Sequence, residues 1–131
     1  HTPVDEDAKT LPFAEAEPGA TGLELLLSLA LKWGQDLGLD LPATLARVTS
    51  APVHVLGESL GSLAGSAGRL VDGGVADLCV YDPDAIWQVQ PGLLRSQGKH
   101  TPFDFGLTGM ALPGRVQATV VAGTVAYQAT A

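Results

Sequence analysis

The side chains that could hold a metal or move a proton are few in this chain, and they are scattered. Histidines stand at His1, His54 and His100. A zinc site read from sequence is signalled by closely spaced ligands, such as two histidines one turn apart on a helix. His1 is terminal, His54 has no second histidine one turn on, and His100 is alone in its stretch. Asp5, Glu6 and Asp7 form an acidic run, but Pro3, Pro12 and Pro18 punctuate the surrounding segment, and carboxylates in such a loop are usually solvated. Ser62 stands directly after Gly61, one residue too early for a Gly-x-Ser-x-Gly elbow ending at Gly65. Gly61, Gly65 and Gly68 follow no strand and lead to no Gly-Lys-Ser/Thr, so they do not read as a phosphate loop. The single Cys79 excludes an intramolecular disulfide and reads as a small buried apolar residue. By residue type and spacing alone, the chain assigns no catalytic residue and no metal ligand of its own.

The 131 residues make one ordinary domain or the tail of something larger, and they are too few for a (β/α)8 barrel, which needs about 250. Because the chain begins at His1 in mid-phrase, it reads as a piece of a longer polypeptide. A formal net charge of -7, with no basic cluster, argues against an electrostatic grip on nucleic acid or on an anionic membrane. The longest apolar stretch, Leu23 to Leu31, is about half of what a membrane span requires and contains Glu24. No signal peptide is visible, and the unpaired cysteine fits a reducing, cytoplasmic compartment.

The positioning elements come next. Residues 1–18 show no helical or strand period, and Phe13 is expected to anchor them as a surface loop. Leu23, Leu26, Leu27, Ala30 and Leu31 recur at helical spacing, with Thr21 placed to cap the first turn and Gly38 to stop the helix after Trp33. Leu25 and Leu29 widen its apolar stripe until burial on nearly every side is expected. Asp40-Leu41-Pro42 signals a second helix, and Ser50-Ala51-Pro52 a third, ended by Gly57. Residues 58–69 are Gly, Ser and Ala rich and read as a linker. Beyond Leu70 the period falls to two. Strands are expected at 78–81, closed by Asp82-Pro83 and covered on both faces, then at 87–89, 115–122 and 125–127, the last two joined by a tight turn at Gly123-Thr124. Pro91 to Leu94 can form a helical turn, and Gly98 to Gly114 reads as a long loop.

Several short motifs then fall in a recognisable order. His1-Thr2-Pro3, Asp7-Ala8-Lys9, Pro12-Phe13, Pro18-Gly19 and Gly22-Leu23-Glu24 resemble the segment after the last barrel strand of dihydroorotases. Ser50-Ala51-Pro52 is similar to that family's Asn-Pro-Ala turn, and Lys99-His100-Thr101-Pro102-Phe103 to its Lys-Asn-Thr-Pro-Phe loop. Gly68-Arg69-Leu70, Ala76-Asp77-Leu78, Leu112-Pro113-Gly114-Arg115-Val116 and Thr119-Val120-Val121-Ala122-Gly123 complete the resemblance over nearly the whole chain.

The resemblance implies an α/β fold class. It places this chain at the C-terminal end of an amidohydrolase (β/α)8 barrel and in part of the small composite β-sandwich domain. Residues 1–57 would be the terminal loop and helices of the barrel, 58–69 a linker, and 70–131 the C-terminal part of the small domain. The implied reaction is the reversible cyclisation of N-carbamoyl-L-aspartate to dihydroorotate, in de novo pyrimidine synthesis, at a zinc centre whose ligands lie outside this chain; no cofactor is expected in the segment itself. Pro18 and Gly19 are the positions carried over as substrate contacts. The family's catalytic Asp would stand immediately before His1. Val4 occupies the place of a substrate-contacting His and offers neither proton nor hydrogen bond. The implied partners are the N-terminal portion of the same polypeptide and further copies of it in a homo-oligomer. One alternative is an inactive pseudo-dihydroorotase serving as a structural partner of aspartate transcarbamoylase. The other is an allantoinase or hydantoinase, against which the Thr101-Pro102-Phe103 loop argues.

Overall fold

The fold was taken from a computed structural model, which describes residues 7–104 and 108–130. It is an α/β arrangement in which helices occupy the first half and a three-stranded antiparallel sheet the second. A 3-10 turn, Leu23–Leu25, runs into α1 (Leu26–Asp36); α2 (Leu41–Ala46) and α3 (Ser50–Leu56) follow, and 3-10 turns occupy Gly57–Gly65. The sheet is a meander of β1 (Leu78–Gln88), β2 (Ala111–Val121) and β3 (Thr124–Gln128), in that order.

The helix boundaries follow local chemistry. Asp40 caps α2 by accepting a hydrogen bond from the Ala43 N–H at 2.8 Å, and Pro42 sits in the first turn, where its missing donor is not needed. After α1, the Gly38 and Leu39 N–H groups return to the carbonyls of Gln35 and Gly34, which satisfies acceptors the helix end would otherwise expose. Thr21 does not cap α1. The helix is preceded by the 3-10 turn, and the Thr21 hydroxyl is engaged elsewhere.

One face of α1 lies on β2. The Ser28 hydroxyl donates to the Gly114 carbonyl at 2.9 Å and accepts from the Trp87 indole N–H at 3.1 Å, so a single buried side chain ties the helix to two strands. Gly114 is required at this crossing. Its φ is +84°, and a Cβ there would stand 2.3 Å from Leu31 Cδ1. Beside this crossing lies the core of Leu25, Val89, Leu94 and Leu112, with Leu29, Trp87, Phe103 and Met110 packed against it. On α1's other flank, Gly34 leaves room for the buried Thr44 of α2.

Burial departs from the sequence expectation in three places. The α1 stripe is not enclosed on nearly every side: Leu23 is 87% exposed, and Leu26, Trp33 and Leu37 are exposed as well. Strand 78–81 is not covered on both faces. β1 is an edge strand, and Cys79 and Val80 are exposed, so the cysteine is no core residue. Phe13 is fully exposed and anchors nothing among the described residues.

The sheet also runs further than expected. β1 continues through Asp82-Pro83, where the Asp82 carboxylate accepts from the N–H groups of Asp84 and Ala85; pairing with β2 breaks there and resumes at Ile86 opposite Pro113. A proline cannot donate to the ladder, and the aspartate's local turn absorbs the irregularity. β2 begins at Ala111, so the expected loop to Gly114 is shorter than read. The hairpin turn sits on Ala122-Gly123, one residue earlier than expected, with φ of +48° and +79°. It is tied down by the Ala122 N–H to the Asp77 carboxylate at 2.7 Å and the Gly123 N–H to the Ala76 carbonyl. Among the described residues, no helix is long and apolar enough to cross a membrane.

Candidate functional site

Pro18 and Gly19, the two positions marked by sequence, form an exposed turn. Gly19 has a φ of +94°, a left-handed conformation that glycine enters freely and other residues enter at a cost of about 1–2 kcal/mol. The turn is held by a residue that the sequence reading had not singled out for a role. The Lys9 ammonium, rising from a 3-10 turn at Asp7–Lys9, donates to the carbonyls of both Glu17 and Gly19. Among the described residues, the N–H groups of Gly19 and Ala20 have no acceptor. The carbonyls of Glu17 and Gly19 are therefore engaged, and Gly19 and Ala20 have backbone donors to offer.

Two residues further on, the chain is fastened to the loop between the sheet's first two strands. The Thr21 N–H donates to the His100 carbonyl at 2.7 Å, and its hydroxyl donates to the Gly98 carbonyl at 2.8 Å. Glu24 adds a second attachment. Its carboxylate accepts the Arg95 N–H at 2.8 Å, the Ser96 N–H at 2.9 Å and the Ser96 hydroxyl at 2.8 Å. Burial pushes this carboxyl up, but those hydrogen bonds and the nearby Lys99 charge outweigh it, and the net direction is below the ordinary carboxylate value. The Lys99 ammonium donates to the Leu94 carbonyl, and the Arg95 guanidinium lies 5.4 Å from the centroid of the Tyr127 ring. The outcome is a cluster of two segments, 9–24 and 94–101, joined largely by side chains binding backbone.

The other candidates do not converge on it as a metal centre. His54 lies exposed on α3 and His100 exposed in the 94–101 loop, while His1, Val4, Asp5 and Glu6 lie outside the described residues. Among the described residues, no three His, Cys, Asp or Glu side chains come together as metal ligands would. Cys79 sits on β1, and although its residue is exposed, partial burial raises its thiol, which disfavours the thiolate a nucleophile needs. Thr21 and Glu24 escaped a functional reading because their partners lie more than 70 positions away. The available signal was a single acid set in an otherwise apolar run.

Comparison with known proteins agrees with the motif order. The chain is 41% identical over 128 residues to a dihydroorotase-like protein of Pseudomonas aeruginosa, a match that covers 98% of this chain and 27% of that protein. It is 36% identical over 129 residues to a dihydroorotase of Citrifermentans bemidjiense, covering 98% of this chain and 28% of the relative. Among solved structures, a D-hydantoinase (dihydropyrimidinase) from Thermus sp. superposes with a TM-score of 0.73 at 25% identity, over 98% of this chain and 27% of that one. No protein-family model matches. The chain thus spans about a quarter of the length of the relatives it matches, and the resemblance read from its motifs stands.

Proposed function

From this kinship with the dihydroorotases of the amidohydrolase superfamily, we infer that the chain is the C-terminal segment of a cyclic amidohydrolase that closes N-carbamoyl-L-aspartate to dihydroorotate and reopens it. Residues 1–57 are assigned to the end of its barrel, 58–69 to a linker and 70–131 to its small β domain. The exposed apolar side chains of α1 and α3 support this division, since a finished domain rarely leaves such stripes uncovered. The observation that carries the functional reading is the exposed Pro18–Gly19 turn: Gly19 is left-handed, Lys9 takes the Glu17 and Gly19 carbonyls, and among the described residues the N–H groups of Gly19 and Ala20 have no acceptor.

Backbone donors fixed in advance suit a substrate carboxylate, because no reorganisation is needed when the anion arrives. In this reading, the segment binds and orients the substrate. Zinc chemistry, in the same reading, is supplied by ligands elsewhere in the polypeptide. The 1–57 part of the segment binds the rest of the same polypeptide, and the whole acts as a cytoplasmic homo-oligomer.

The test is steady-state kinetics on the zinc-loaded polypeptide that carries this segment, with N-carbamoyl-L-aspartate, dihydroorotate and a 5-substituted hydantoin. Turnover of the first two is expected. Replacing Gly19 by alanine raises KM about tenfold, as loss of one charge-assisted hydrogen bond would. Opening of the hydantoin alone would move the assignment to the hydantoinases.

A second reading has its own support. The Pseudomonas relative bears the name dihydroorotase-like, and Val4 stands where the family's substrate-contacting His is expected. On that reading the polypeptide turns over none of the three substrates and serves as an assembly partner, with aspartate transcarbamoylase the candidate to test by co-purification.

A further inference from the structure

We propose that Glu24 is a positioning residue: with Thr21 it locks the Pro18–Gly19 turn to the 94–101 loop, so that the turn is presented in one conformation. The proposal rests on the substrate role inferred for that turn. The geometry is a two-point attachment. Glu24 takes two successive backbone N–H groups and a hydroxyl at residues 95 and 96, and three positions earlier Thr21 takes the carbonyls of Gly98 and His100. A single attachment would leave the loop free to swing about it. Two attachments, at 95–96 and 98–100, fix its direction as well as its distance.

The helix itself does not need this carboxylate. Leu25, the next residue, is fully buried in the core, and Ser28 pins α1 to the sheet one turn later. A half-exposed acid binding backbone donors contributes little to overall stability, because water competes for the same donors. Its effect falls on local order, in the turn that begins six residues upstream of it. Lys99 keeps the loop closed on itself through the Leu94 carbonyl and lends Glu24 a favourable charge. Lys9 holds the turn from its other side. Gly19 therefore sits between two clamps, and only one of them, Glu24 with Thr21, reaches across to the strand-joining loop.

The experiment compares Glu24→Gln and Ser96→Ala with the parent polypeptide, by amide hydrogen exchange and by kinetics with N-carbamoyl-L-aspartate. Glu24→Gln keeps the shape but sets an amide N–H₂ against donors that need an acceptor. Exchange at Thr21, whose N–H is bonded to the His100 carbonyl, and at residues 95–101 is expected to quicken together by about tenfold, with β2 unchanged. KM is expected to rise about tenfold and kcat to stay within about twofold, as for a loss of ground-state and transition-state binding alike. Ser96→Ala, which removes one donor, shifts both readouts the same way by less. Faster exchange confined to 95–101, or a KM unchanged in a variant whose turn has loosened, overturns the proposal. If the parent turns over neither substrate, the reaction reading fails, and exchange at Thr21 alone decides whether Glu24 positions the turn.

Discussion

The junction of α1 with the sheet and the helical stretch from α2 to Val75 are built on opposite plans. At the junction, Leu25, Val89 and Leu112 are fully buried, and Ser28 satisfies an indole N–H and a carbonyl at the crossing point. From Leu41 to Val75, Thr44 is the only buried residue, while Val55 is 83% exposed and Leu70 82% exposed. Both regions are rich in aliphatic side chains, so composition does not separate them. What separates them is whether a complementary surface packs on them among the described residues. The junction is a core that closes on itself. The 41–75 stretch has regular local structure, set by caps and turns, with little of the burial that ordinarily stabilises short helices.

This contrast can be broken or sharpened by substitution. The largest effect is expected at the closed junction, where Leu112→Ala should lower unfolding free energy by about 2–5 kcal/mol, as cavity formation does in a packed core. Ser28→Ala should cost about 1–3 kcal/mol, because it strands a buried indole donor and leaves the Gly114 carbonyl without its hydroxyl partner. Both are read by urea denaturation followed through Trp87 and Trp33 fluorescence. Ala122→Gly should stabilise by about 0.5–1 kcal/mol, since the left-handed φ of +48° strains alanine more than glycine's extra unfolded-state freedom costs. In the 41–75 region, Leu70→Ser should change the stability of the 131-residue chain by less than about 0.5 kcal/mol. A cost above about 1 kcal/mol there would show that this region has a core of its own and would dissolve the comparison.

Glu24 supplies a pH probe of the same boundary. Its folded-state pKa is depressed, so its contribution is present above the unfolded carboxylate pKa and is lost as pH falls through the lower, folded value. Solvent screening keeps that contribution below about 1 kcal/mol. Glu24→Gln should lower neutral-pH stability by less than about 1 kcal/mol and leave stability at the acid end nearly unchanged, which flattens the acid limb of the profile.

The features legible in the sequence are those fixed by near neighbours. Asp40 with Pro42 opens a helix, Gly38 closes one, Pro91 starts a turn, and the alternation of Val116, Ala118 and Val120 marks a strand, all within a few residues. Misreadings arose where a distant surface decides. Asp82-Pro83 looks like a strand end, yet β2 opposite it carries the pairing onward past a local aspartate turn. Leu78 to Tyr81 has the pattern of a strand covered on both faces, yet the successive residues Cys79 and Val80, which point to opposite faces, are both exposed. Phe13 and Cys79 were assigned burial by residue type, and burial depends on what the chain packs against. Of the candidate site, Pro18 and Gly19 were visible through their motif. Lys9, Thr21 and Glu24, which hold that turn, act through backbone groups, and backbone groups leave no mark on the identity of the residue that carries them.

The central claim, that this segment presents a substrate-binding turn in a dihydroorotase, is tested most directly by cyclisation of N-carbamoyl-L-aspartate by the zinc-loaded polypeptide, wild type against Gly19→Ala. The account predicts turnover by the wild type and a KM about tenfold higher in the variant. A folded, zinc-replete wild type with no turnover, or a variant with unchanged KM, would contradict it.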